Sequence, residues 1–149
     1  MNLAMRPDLT RIATKDAPAP AGPYVQGISL QGALPLTFVS GQLPLDPVTG
    51  ELVEGDVVDQ LRAALTNALG IVAAAGGTLN DVVKVTIFTT QLSQAKAING
   101  AYEALFGLSL PTRTMVGVDG LPQGALVEVD VIAACAQPTL PAAEATNDE

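Results

Sequence analysis

The sequence predicts an α+β fold, with one sheet whose single face carries two helices. Two observations lead there. Apolar residues recur at helical spacing in two separate stretches, and β-branched residues alternate or run together in segments before, between and after them. The resulting order is strand, strand, helix, strand, helix, strand, strand, which closes as one layer of helices on one layer of sheet.

The first strand is expected around Tyr24–Leu30, after the Pro- and Gly-rich segment APAPAGPY (17–24), and a second over Leu34–Ser40. SGQLPLDPVTGELV follows as a loop, with Asp46-Pro47 and Thr49-Gly50 as turn signals. From Asp56 to Ala75, residues Leu61, Leu65, Ala68, Leu69 and Val72 share one helical face. Asp56 is placed to cap this helix, Asp59 favours its positive end, and Gly76-Gly77 ends it. VVKVTIFTT (82–90) reads as a strand. Ser93 is the expected cap of a second helix running to Phe106, with Ile98, Tyr102, Leu105 and Phe106 as its buried stripe. Pro111 stops the helix, and strands are expected at Arg113–Val118 and Ala125–Ala134. Residues 1–16 read as a loose N-terminal arm, 17–136 as the folded domain, and 137–149 as a disordered C-terminal tail.

Alternation in the last strand sorts its side chains. Val127, Val129, Val131 and Ala133 share one face, assigned to the helices; Glu128, Asp130 and Ile132 share the other. That second face has no partner within the chain, so it is wet or covered by another subunit. The composition leans the same way: 48% of the residues are hydrophobic and only 3% aromatic, an aliphatic load on a chain of 149 residues.

Composition also excludes chemistry. There is no histidine, so serine or cysteine nucleophiles paired with imidazole, and imidazole metal sites, are ruled out. No phosphate-binding glycine motif is present. The net charge of −8 disfavours nucleic acid and anionic membrane surfaces as partners. No apolar run approaches transmembrane length, and the N-terminus lacks the apolar core of a secretory signal. With one cysteine, Cys135, read as a buried inert thiol, the chain is expected to be cytoplasmic.

A few polar residues stand out against this background. Between 17 and 136 the basic residues are Arg62, Lys84, Lys96 and Arg113. Arg62 and Lys96 read as solvated helix positions. Arg113 opens a strand beside a proline turn, where a planar fork suits a small carboxylate, although from residue type alone a surface or structural arginine is the more ordinary reading. Glu128 on an apolar strand is a functional carboxylate, an interface ion pair or a wet-face residue. Tyr24 is a packing ring or a hydroxyl over a pocket. Asn99 is mildly unfavourable in a helix. Gly41, after Ser40, allows close approach of a ligand or backbone.

Taken in order, APAPAGPYVQG, FVSGQLPLDPVTGEL, NDVVKVTIFTTQLS, AINGAYEALF, PTRTMV and GLPQGALVEVDVIA resemble the RidA (YjgF) family of reactive-intermediate deaminases over roughly residues 17 to 134. The resemblance implies a chorismate-mutase-like fold assembled as a homotrimer with a barrel-like centre, and active sites between subunits. It implies hydrolysis of 2-enamino and 2-imino acids, such as 2-aminoacrylate, to 2-keto acids and ammonia, with no cofactor and no metal. Carried over by position, Arg113 grips the substrate carboxylate and Glu128 positions or activates water. Tyr24, Ser40, Gly41 and Asn99 line the pocket, and the backbone of Met115 contacts the substrate. Asp130 reads as support. Three positions depart from the family pattern: Met115 stands where many members carry cysteine, Gly117 where an acidic residue is common, and Gly120 where a basic one is frequent. These bear on substrate range. Two rival readings remain: a non-catalytic trimer binding small carboxylates or acting as a chaperone-like platform, and an endoribonuclease, against which the charge and the missing histidine speak.

Overall fold

In the computed structural model, residues 9–32 and 35–135 are described, and their backbone sorts into six strands and two α-helices. The strands are β1 (Leu9–Ile12), β2 (Gly27–Leu30), β3 (Leu36–Gln42), β4 (Val82–Thr89), β5 (Thr112–Gly117) and β6 (Val127–Ala134). The helices are α1 (Val57–Ala74) and α2 (Ala95–Phe106). Four strands form a mixed sheet in the order β3-β6-β4-β5. The β3–β6 and β6–β4 pairs are antiparallel, and β4 and β5 are parallel, joined through α2.

Helix α1 forms where the sequence places it. Asp56 accepts from the backbone N–H groups of Val58 and Asp59, and Asp59 returns a bond to the Asp56 N–H. At the other end Gly76 takes φ +83°; its N–H donates to Ala73 O and that of Gly77 to Val72 O, closing a Schellman turn. Between these caps Leu61, Ala64, Leu65, Ala68 and Val72 are fully buried. They pack on Val127, Val129, Val131 and Ala133 of β6 and Val85 and Ile87 of β4, so the alternation in β6 points its valines at the helices as expected. Ile98, Tyr102 and Phe106 complete this core from α2.

The opposite face of the sheet has no covering element among the described residues. Glu128, Asp130 and Ile132 of β6 lie there beside Lys84, Thr86 and Phe88 of β4, all half-buried. Leu36, Phe38 and Val116 on the same face are exposed, Phe38 at 71%.

Five expectations need correction. The four-stranded sheet does not include β1 and β2, which pair with each other as a separate antiparallel ribbon. Strand β1 falls inside 1–16, the stretch read as an arm; LTRI was too short and too polar to register as a strand. The strand expected from Tyr24 begins at Gly27, because Tyr24 donates back to Gly22 O and Val25 to Pro111 O, which bends the chain onto the start of β5. In α2, a 3-10 turn at Leu92–Gln94 absorbs Ser93, so the helix starts at Ala95 with no side-chain cap. Leu105 is 39% exposed, and the buried stripe narrows to Ile98, Tyr102 and Phe106. The expected tail 137–149 lies outside the described residues.

Close packing at the end of α1 sets a stability test. A methyl group on Gly77 would meet Cys135 Sγ at 2.6 Å and Val72 Cγ1 at 2.9 Å, whereas one on Gly70, inside α1, would meet nothing within 4 Å. Urea denaturation should show Gly77→Ala losing about 1–3 kcal/mol and Gly70→Ala gaining about 0.5–1 kcal/mol.

Candidate anion-binding site

Arg113 is the second residue of β5, an edge strand. It pairs with Val85 of β4, which pairs with Val131 of β6, so its side chain leaves the sheet on the helix-covered face. Helix α2 meets it there with two residues three apart, Asn99 and Tyr102. Arg113 Nη1 donates to Asn99 Oδ1 at 2.7 Å, and Cζ stands 5.0 Å from the Tyr102 ring centroid. Tyr24 brings a second ring, its centroid 5.5 Å from Cζ. The bend that displaced the first strand holds this ring: the Ala21 N–H also donates to the Tyr24 hydroxyl at 3.1 Å.

The guanidinium is therefore framed by two π faces and one amide oxygen, with no carboxylate in ion-pair contact among the described residues. Burial draws its pKa down, and the two tyrosines oppose that shift. An arginine stays protonated regardless. The site is a half-buried positive charge stabilised by neutral groups only, an arrangement that receives a small anion without first breaking an internal ion pair.

Tyr102 is wholly buried, and its hydroxyl has no hydrogen-bond partner among the described residues; Arg113 Nε is likewise sealed and unpartnered among them. Burial pushes the Tyr102 phenol far above its ordinary range, while the Arg113 charge pulls weakly the other way. Tyr102 is thus a neutral phenol at any working pH and no candidate general base. Its place beneath Arg113 went unrecognised in the sequence, where a tyrosine in an apolar stripe reads as core. The spacing from Asn99 was the available signal.

The remaining expected residues divide between the two faces. Met115 follows Arg113 on the helix face, pairing with Ile87 and packing against the core. Glu128 pairs with Phe88, which pairs with Val116, and so lies on the uncovered face. Its neighbour there is Gly41. A side chain at Gly41 would collide with Glu128 Oε1 and stand 3.1 Å from Cδ, so glycine is what lets the carboxylate lie against β3. Ser40, exposed, shares the bulge in which β3 advances three residues from Val39 to Gln42 while β6 advances two. Glu128 makes no hydrogen bond or ion pair among the described residues. Within one chain, then, Arg113, Asn99, Tyr24 and Met115 sit on one side of the sheet, and Glu128 with Gly41 on the other. No group of three His, Cys, Asp or Glu among the described residues could hold a metal ion, and no helix there is long and apolar enough to cross a membrane.

The chain is similar to known proteins over most of its length. The family model described as endoribonuclease L-PSP matches residues 14–135. A RutC family protein of Pyrococcus horikoshii is 44% identical over 122 residues, covering 82% of this chain and 94% of its own. A 2-iminobutanoate/2-iminopropanoate deaminase of Salmonella typhimurium is 44% identical over 125 residues, with the same coverage of both chains. Among solved structures, E. coli TdcF with bound serine superposes with a TM-score of 0.63 at 41% identity, covering 84% of this chain and 98% of that one.

If the missing counter-charge is what makes Arg113 available, supplying one should disable it. Asn99→Asp puts a carboxylate where the amide oxygen now lies, 2.7 Å from Nη1. Binding of acetate, followed by NMR chemical-shift titration, should weaken at least about tenfold.

Proposed function

The chain belongs to the endoribonuclease L-PSP family, the group of the YjgF and RidA proteins, and on that premise we propose that it is a hydrolytic deaminase of small 2-imino and 2-enamino acids, releasing 2-keto acids and ammonia. The observation that carries this reading is the uncompensated guanidinium of Arg113, held by Asn99 between Tyr24 and Tyr102. Deaminase activity in a relative 44% identical supports the reaction class, and serine bound to TdcF supports a small α-substituted carboxylate as ligand.

In this proposal Arg113 takes the substrate carboxylate, with charge-assisted bonds of about 1.5–3 kcal/mol each. This fixes C2, already electrophilic as the carbon of a C=N bond. An enamine substrate first gains a proton at C3 and becomes the iminium, whose C2 is more electrophilic still. Water adds to C2 as Glu128 accepts one of its protons; that proton passes to nitrogen, the C2–N bond breaks to release ammonia, and the remaining hydroxyl proton goes to Glu128 as the C2–O bond becomes the keto group. No cofactor or metal is needed, because holding the water against an activated carbon supplies the acceleration.

Arg113 and Glu128 leave opposite faces of one sheet, so a site containing both draws them from two copies of the chain. We assign that assembly as a homotrimer in which the uncovered faces, with Phe38, Leu36 and Val116, meet at the centre and sites form between neighbours. Tyr24, Asn99 and the backbone of Met115 then line the cleft beside Arg113, and Ser40 and Gly41 line it beside Glu128 of the neighbouring copy.

A second reading has one observation behind it: a single chain holds the anion clamp but not the carboxylate, so the protein could bind small carboxylates without turning them over. The family's description names an endoribonuclease, but the net charge of −8 and the missing histidine speak against RNA as the substrate.

The experiment generates 2-aminoacrylate in situ with a serine dehydratase and follows its absorbance decay. Arg113→Ala should lower kcat/KM by about 10²-fold or more, mostly through KM. Glu128→Gln should lower kcat by about 10²- to 10⁴-fold and spare binding of 2-oxobutanoate. Equal decay with wild type and Arg113→Ala would contradict the clamp; no acceleration by folded wild type would leave the binding-protein reading.

A further inference from the structure

The Arg113 guanidinium does not offer all its donors equally. Nε is sealed without a partner, and one N–H of Nη1 is committed to Asn99. Nη2 makes no hydrogen bond among the described residues and is not sealed. An arriving carboxylate therefore meets Nη2 at the outer end of the fork, and not the sealed Nε edge.

That outer end lies against Gly22. A methyl group at Gly22 would stand 3.1 Å from Arg113 Nη2 and 3.4 Å from Tyr24 Cε1. Backbone conformation does not demand a glycine here, since Gly22 is not among the residues with positive φ. A contact of 3.1 Å asks the guanidinium, the far end of a flexible side chain, to give by only a few tenths of an ångström, which spares the fold while the methyl still covers Nη2. The missing side chain leaves room at one place, the donor that faces outward.

We infer that Gly22 is a specificity-determining residue: its lack of a side chain keeps the Nη2 end of Arg113 open, so that the substrate carboxylate docks end-on. This rests on the deaminase reading for the identity of the ligand. It goes beyond that reading in fixing which edge of the arginine binds and which neighbour controls access.

A structural glycine and an access glycine behave differently on substitution. At an ordinary φ, alanine reduces the freedom of the unfolded chain and does not destabilise. Gly22→Ala should keep the wild-type Tm or raise it, bind 2-oxobutanoate at least about tenfold more weakly by calorimetry, and raise KM with kcat little changed at saturation. Gly70→Ala, in open space, is the control and should bind as wild type does. A lowered Tm for Gly22→Ala would overturn the inference, because the glycine would then serve the fold. Unchanged affinity in Gly22→Ala, with Arg113→Ala unable to bind, would also overturn it while leaving the clamp in place. If wild type and Arg113→Ala bind alike, the functional reading itself fails.

Discussion

One positive charge without a negative partner among the described residues organises the candidate site of this molecule. Arg113 is half-buried at the edge of a sheet, a setting in which a charge ordinarily requires an opposite charge. Here it is stabilised by the Asn99 carbonyl and by the faces of Tyr24 and Tyr102. A carboxylate from the chain itself would hold the arginine better and leave nothing for a ligand. The surrounding structure serves this compromise: the bend at Gly22–Tyr24 brings one ring, α2 brings the amide and the other ring, and parallel pairing with β4 fixes the direction in which Arg113 leaves the sheet.

The same sheet imposes a second constraint. Side chains on paired strands share faces, so the Arg113–Val85–Val131 row and the Glu128–Phe88–Val116 row point to opposite sides. No rotamer of either residue alters this. A water-activating Glu128 and a carboxylate-binding Arg113 can act on one substrate only across a boundary between two copies. The exposed apolar side chains on the Glu128 face give a reason for such a boundary, since Phe38 and Leu36 are left to solvent in the isolated chain. Assembly and catalysis are in this account a single requirement.

Much of this was legible in the residues. The Asp56 cap, the Gly76 stop, the α1 stripe and the inward valines of β6 all follow from local periodicity and turn chemistry, which act over a few neighbours. What was not legible depends on distant partners. Strand β1 exists because β2 pairs with it, and LTRI carries too little pattern to announce that. Ser93 lost the helix start to a 3-10 turn that no capping rule distinguishes. Arg113, Asn99 and Tyr24 were each visible as candidates, but their contact comes from packing α2 and the Gly22–Tyr24 bend against β5. The opposition of Arg113 and Glu128 was hidden for a sharper reason. Their strands are not adjacent, so the relative facing of the two residues depends on two registers through β4, and a one-residue slip in either would have put them together.

The most direct test of this account is subunit mixing. Arg113→Ala and Glu128→Gln chains would be co-expressed with different tags, the mixed assemblies isolated, and their turnover of 2-aminoacrylate compared with that of each parent. If each site takes its arginine from one chain and its glutamate from a neighbour, every mixed trimer holds one intact site in three, so the isolated mixed assemblies recover about a third of wild-type turnover from two impaired parents. A mixed assembly as inactive as its parents would contradict the account, because Arg113 and Glu128 would then have to serve one site from the same chain.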